Sequence, residues 1–308
     1  MGAKDGNIPV KFVSEESIPE AFEKAMEAVW TEGISMPTEY DIKEETPGGR
    51  QDPPSKDATV MIEVKNPFKE PRIPKAFSDS LENLGKYIHE VVSGIRDYRI
   101  KPREEKADES STHWTYTYHQ RLENYGTSEG EINQIDYLVD KLSETPHTRR
   151  AQAIIWDPEF DCCTSHPACL QRVHCRMVKN SEGIYVLNMN THWRSRDLFK
   201  AWVENVIALT ELQSRIAARI SERIKQKVLV GRYVDITDSL HIYGSYFDKV
   251  EGYFSNLGSR PKEDRAWTTD FAKPFFKEGL EELLKEEGSF MTEEKKTLLK
   301  QEIKLLDP

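Results

Sequence analysis

The sequence predicts an α+β fold. Three observations carry that reading: segments with helical periodicity, shorter segments that alternate like strands, and no regular βαβ repetition linking them. No internal repeat is visible. Residues 18–30 (IPEAFEKAMEAVW) place Phe22, Met26 and Val29 on one helical stripe, with Gly33 as the stop. Residues 37–56 contain TPGGRQDPP and read as an irregular loop carrying Arg50. Residues 59–64 (TVMIEV) alternate as a strand, and 78–94 form a second helix capped by Ser78 or Asp79. The polar run 101–111 reads as a loop. Residues 131–142 are helical and stop at Pro146. Strands follow at 151–156, 170–178 and 184–190, then a long apolar helix at 201–224 and an extended segment at 233–243. We expect a catalytic domain over 1–272 and a charged, helical, peripheral extension over 273–308.

The 308 residues are enough to bury a sizeable core as one large domain or two ordinary ones. With 37% hydrophobic and 31% charged residues, the chain has the balance of a soluble globular protein. No apolar run approaches the roughly 18 residues that span a bilayer. The opening MGAKDGNIPVKF lacks the apolar core of a secretory signal and the serine or threonine of a myristoylation site. These features predict a cytoplasmic protein with no membrane partner. The net charge of −10 argues against nucleic-acid binding, which needs a basic face. It leaves room for a small anionic ligand held by a few converging arginines.

Cys162, Cys163, Cys169 and Cys175 fall close together, unlike a disulfide framework spread through a short secreted chain. His166 and His174 lie nearby, yet there is no C-x-x-C pair and no second ligand cluster, so no metal site is expected. What remains is a choice between buried structural thiols and a nucleophile.

Three segments bear on that choice: TRRAQAIIWDPEFDCCTSHPACLQR at 148–172, HWRSRDLFKAWVEN at 192–205 and DSLHIYG at 238–244. Upstream, YIHEVVSG covers 87–94. In order and spacing these segments resemble the thymidylate synthase family, which includes the dCMP and CMP hydroxymethylases. There, an Arg-Arg pair precedes a strand, Pro-x-Cys holds the nucleophile, R-S-x-D follows, an asparagine lies eight residues later, and H-x-Y closes the site. The resemblance covers about 18–255. It implies a mixed β-sheet packed with helices and a sheet-to-sheet homodimer. The implied reaction is C5 one-carbon transfer to a pyrimidine nucleoside monophosphate, with 5,10-methylenetetrahydrofolate as cofactor.

That chemistry explains the residue types. Ring carbon C5 of a pyrimidine is a poor nucleophile until a thiolate adds at C6 and makes the ring enolate-like. A free thiol is mostly protonated at neutral pH, and a nearby guanidinium favours the thiolate. By resemblance Cys169 is the nucleophile and Arg194 its cationic neighbour. Phosphate binding falls to Arg50 and Arg194 of one protomer, with Ser195 adding a hydroxyl and Arg149 and Arg150 crossing from the partner. His241 and Tyr243 alternate on one strand face and receive the 3′-hydroxyl of the sugar. Asn205, an amide with one donor and one acceptor side, tilts the base toward uracil. Glu90 organises the water that removes the C5 proton, and Asp197 meets the pterin. Cys162, Cys163 and Cys175 are left structural.

Departures from the family pattern fall on the folate side. Leu170 follows the nucleophile where many members have histidine, Ala201 replaces a glycine near the folate, and FKEGLEELLKEEG runs on where the family has a short apolar closing segment. Glu204, beside Asn205 and bearing on the base instead, replaces an aromatic residue. A tryptophan-rich stretch is replaced by the polar loop at 101–111 and His113-Trp114. Residues 116–122 (YTYHQRL) resemble the shorter archaeal-type form. Two outcomes therefore stay open: hydride transfer giving dTMP from dUMP, or water capture giving a hydroxymethyl nucleotide from dUMP, dCMP or CMP. A non-catalytic nucleotide- or RNA-binding relative is the third reading, opposed by the intact Cys169, Arg194, Asn205, His241 and Tyr243.

Overall fold

The computed structural model describes residues 6–39, 52–100 and 114–307. Arg50 and the polar loop at 101–111 lie outside the described residues. The chain opens with strand β1 (Val10–Glu15) and helix α1 (Ile18–Glu32). Ser17 caps α1, its hydroxyl accepting from the orphan Glu20 amide and donating to the Glu20 carboxylate at 2.9 Å. Phe22, Met26 and Val29 are buried as their spacing predicts, and the Gly33 amide closes the helix onto the Val29 carbonyl. Then come β2 (Ile34–Met36), β3 (Ser55–Val64), β4 (Ile73–Pro74) and α2 (Leu81–Ser93). Ser80, rather than Ser78 or Asp79, caps α2, because only Ser80 stands three residues before an amide it reaches, that of Asn83 at 3.2 Å.

Next are α3 (Tyr118–Glu123), β5 (Tyr125–Thr127), β6 (Gly130–Ile132), α4 (Gln134–Glu144), β7 (Gln152–Ile154) and α5 (Pro158–Asp161). The helix expected from 131 starts later, since 130–132 are taken by a small hairpin and Asn133 caps α4. The centre of the chain supplies β8 (Leu170–Lys179), β9 (Tyr185–Trp193), β10 (Arg196–Asp197), α6 (Trp202–Ile224) and β11 (Val228–Ile242). Last come α7 (Phe247–Leu257), β12 (Ala266–Trp267), α8 (Thr269–Glu287) and α9 (Glu293–Leu305).

One mixed sheet organises the molecule, in the order β1-β3-β11-β9-β8-β7, with β2 beside β3 and β10 beside β11. The pairs β1/β3, β9/β11 and β10/β11 are parallel and the others antiparallel. Helices α1 and α6 pack on this sheet, α2 packs on α6, and α8 packs on α2. Between sheet and helices lies the core, including Phe22, Val60, Ile62, Met189, Trp193, Trp202 and Tyr233.

The other sheet face is left open. Register aligns Phe12, Met61, Ile236, His192, Arg172 and Ile154 in one row across six strands. Phe12 is 65%, Met61 40% and Ile154 42% exposed, more apolar surface than a solvated sheet face normally carries.

Candidate active site

Sheet irregularities aim the site. The β8/β9 register slips between Leu170 and Arg172, directly after Cys169, and the β11/β3 register slips between Thr237 and Leu240, directly before His241. Such bulges turn a strand locally and redirect the side chains beside them.

Arg194 leaves the end of β9 and folds back over the loop that holds Cys169. Its Nε donates to the Ala168 carbonyl at 3.0 Å and its Nη2 to the Pro167 carbonyl at 2.7 Å. The same Nη2 lies 3.7 Å from the Cys169 sulfur. Burial lifts the half-buried Cys169 thiol, while Arg194 and, less strongly, Arg196 pull it down; burial prevails. The expected guanidinium is thus in place, but in the free protein it only offsets desolvation. Cys175 is fully buried within β8, where burial alone pushes its thiol up to about 12, while Cys162 and Cys163 are exposed.

Arg196 fills the unspecified position of R-S-x-D, yet it links the parts. It is buried, ion-paired with Asp235, and lies 3.9 Å over the Trp193 ring. Its Nε donates to the Asn205 side-chain oxygen at 3.2 Å, while the Asn205 nitrogen donates to the Tyr87 hydroxyl. A guanidinium has only donors, so it fixes the orientation of the amide: a flipped Asn205 would set donor against donor. Each amide atom keeps one further hydrogen-bonding position for a ligand.

Tyr87 belongs to a tyrosine cluster that spacing alone did not reveal. Tyr116 and Tyr118 stand 5.7 Å apart, and Tyr118 meets Trp193 edge-on at 5.7 Å. Burial first, then the neighbouring Cys169, pushes the Tyr116 phenol up to about 12. One signal was available: YTY lies in the segment that resembles the archaeal-type form.

Two carboxyl groups meet near this cluster. Glu90, one helical turn beyond Tyr87 on α2, is pushed up to about 7 by burial, against the pull of Arg96, whose Nη1 sits 3.4 Å away. Glu204, in the first turn of α6, is pushed up to about 8 by burial and by the charges of Asp79, Glu90 and Asp197. The sequence marked Glu204 only as a departure from the aromatic pattern.

On the other flank, the parallel pairing of β10 with β11 sets Asp197 opposite His241. Burial raises the Asp197 carboxyl, whose Oδ1 accepts from the Lys200 amide at 2.9 Å. His241 is 5% exposed; its Nδ1 faces the Ser239 carbonyl at 3.2 Å, and its Nε2 is buried without a hydrogen-bond partner among the described residues. An unsatisfied buried ring nitrogen is costly unless a ligand meets it. Tyr243, just past β11, keeps its ring centre 4.6 Å from that of His241. Ser195 is half-buried between Arg194 and Arg196. Arg149 and Arg150 stand apart, exposed at the entry to edge strand β7.

A family model described as "Thymidylate synthase" matches residues 81–263, more than half of the chain. The chain belongs to the thymidylate synthase family. It is therefore an enzyme of transferase type, with one-carbon transfer to a pyrimidine C5 as the family reaction. A "Putative thymidylate synthase" of Methanocaldococcus jannaschii is 28% identical over 248 residues, 79% of this chain and 95% of that protein. A protein of the same description from Methanosarcina mazei is 26% identical over 249 residues, 80% of this chain and 96% of its own length. Among solved structures, thermostable thymidylate synthase A from Bacillus subtilis superposes with a TM-score of 0.54 at 17% identity, over 77% of this chain and 83% of that one. This likeness supports the α+β fold read from the sequence. Among the described residues no helix is long and apolar enough to cross a membrane.

Proposed function

We propose that the protein transfers a one-carbon unit from 5,10-methylenetetrahydrofolate to C5 of dUMP, giving dTMP, through a covalent Cys169–C6 adduct. The observation that carries this reading is the Cys169 sulfur 3.7 Å from the Arg194 guanidinium, with Arg196, which fixes the Asn205 amide, as the second cation acting on that sulfur. Substrate binding completes the activation: a phosphate drawn to Arg194 and Ser195 excludes water and fixes the ring, while the guanidinium stabilises sulfur as it ionises. The locked amide donates to O4 and accepts from N3–H of uracil, and the free His241 Nε2 with Tyr243 takes the 3′-hydroxyl. Glu90, poised near neutrality, relays the C5 proton through water.

The residues fit a folate. Asp197 offers a carboxyl to pterin N–H groups, and two residues on, Phe199 lines a cavity of about 260 Å³ whose wall carries Lys75, Lys249 and Arg260, cations suited to an anionic tail, with Arg265 paired there to Glu23. When bound, the folate supplies the electrophilic one-carbon unit and, on the methylating branch, a hydride. One observation favours the other branch: Glu204 puts a titratable carboxyl where the family has an aromatic side chain, and a polar wall retains the water that would give a hydroxymethyl product.

Arg149 and Arg150 are read as the partner protomer's share of the phosphate site, with the open apolar sheet row as the homodimer contact. Four free thiols agree with a cytoplasmic setting. The test is product mass analysis with dUMP, dCMP, UMP and CMP in labelled water, each with methylenetetrahydrofolate. Methylated dUMP is expected, and solvent oxygen in the product would select the hydroxymethyl branch. Turnover retained by Cys169→Ala would remove the mechanism.

A further inference from the structure

The family match ends at residue 263, but α8 brings a later residue to the edge of the site. Helix α8 seats closely on α2. A Cβ at Gly85 would lie 2.6 Å from the Phe276 backbone, and one at Gly279 would lie 2.3 Å from the Glu82 carbonyl. This contact delivers Glu287, at the end of α8, to the turn that follows α2. There the Arg99 Nη2 reaches Glu287 Oε1 at 2.6 Å, and the Tyr98 hydroxyl donates to Oε2.

Arg96 lies on the same turn. Its Nη1 is 3.4 Å from Glu90 and its Nη2 is 3.7 Å from Glu287, with side-chain exposures of 20%, 14% and 15% for Arg96, Glu90 and Glu287. One largely buried guanidinium thus lies between a carboxylate of the catalytic helix and a carboxylate of the carboxyl-terminal extension. We propose that Glu287 is a positioning residue for Glu90, holding back part of the Arg96 charge so that Arg96 does not close fully onto the Glu90 carboxylate. The proposal rests on the reading of Glu90 as the proton-relay group.

Glu287 is a competent rival for the guanidinium. Burial lifts its carboxyl, but the bonds from Arg99 and Tyr98 and the charge of Arg96 more than offset this and hold it below the usual range. Its charge is therefore present wherever Glu90 titrates. The other groups that bear on Glu90 are Asp97 and Arg99 from the same turn, Tyr87 from its own helix and Glu204 from α6. Asp97 is itself shared with His119 at 2.7 Å and with Lys295 of α9 at 3.7 Å.

The readout is Glu90 itself. Protein labelled with ¹³C at glutamate side-chain carboxyls is titrated by NMR, and the Glu90 signal is assigned by its loss in Glu90→Gln. In Glu287→Gln, Arg96 is freed for Glu90 and an anion is removed, so the Glu90 midpoint should fall by about 0.5 pH or more. Arg96→Gln should raise it, and in that background Glu287→Gln should have little further effect. Glu287→Asp, which draws the carboxylate back from Arg96, should lower it in the same direction by less; it serves as the second variant if Glu287→Gln does not fold. The limb of the kcat profile that belongs to Glu90 should move with the NMR midpoint. An unmoved midpoint in Glu287→Gln, or a rise like that of Arg96→Gln, overturns the proposal. Full turnover in Glu90→Gln would instead remove the catalytic reading of Glu90 and leave the NMR comparison to decide the charge sharing.

Discussion

Glutamine at position 90 should make the protein more stable and less active, and the gain should depend on pH. Burial raises the Glu90 carboxyl from 4.5 to about 7, a difference worth roughly 3 kcal/mol. The native state holds this proton more tightly than the unfolded chain does. The penalty for burying the charge is therefore absent below about 4.5, grows as pH rises between about 4.5 and 7, and is complete above that window. Glutamine keeps the shape and never ionises. The contact with Arg96 is already contained in that shift, so the net gain is roughly 3 kcal/mol at pH 8. Urea unfolding of wild type and Glu90→Gln at pH 5 and pH 8, followed by circular dichroism, measures the difference directly. A higher midpoint for the variant at pH 8, with little difference at pH 5, is expected together with loss of turnover. Equal differences at the two pH values, or a variant weaker at pH 8, would refute the reasoning.

Asp235→Asn should cost about 3–5 kcal/mol, because Arg196 and Asp235 are 1% and 0% exposed and the guanidinium would stay buried without its counter-charge. A lower urea midpoint and weaker discrimination between dUMP and dCMP would register it. Gly279→Ala should destabilise by about 1–3 kcal/mol, since its new methyl meets the Glu82 carbonyl at 2.3 Å; a calorimetric melting point reports it. Mixing inactive Cys169→Ala protein with inactive Arg149→Ala/Arg150→Ala protein should restore part of the activity, because one site of the mixed dimer would be intact. No recovery after subunit exchange would remove their assignment to the partner's site.

The parts of the site that were legible are those whose spacing is local. Cys169 and Arg194, read from P-A-C and R-S-R-D, meet across the β8/β9 pair, and Asp197 lies opposite His241 across β10/β11. Groups whose role depends on burial were not legible. Nothing in the residue type marks Glu204 as a raised carboxyl, Arg196 as the lock on Asn205, or Tyr87 as its partner. Strand β1 escaped notice because its pattern is inverted: Val10 and Phe12 face outward while Val13 is buried. The helical tendency of the last forty or so residues was readable from composition, but their docking was not, since it turns on the absence of side chains at Gly85 and Gly279.

Helix α9 buries Glu302 among Ser93 at 2.8 Å, Arg215 at 3.0 Å and His89 at 3.5 Å. These partners flank Glu90 in sequence or brace its helix from α6, so α9 works as a back-plate for α2. Shortened expression versions cut before residue 293 would strip a carboxylate from the partly exposed Arg215 and the buried His89. Any tag attached there should leave 293–305 untouched.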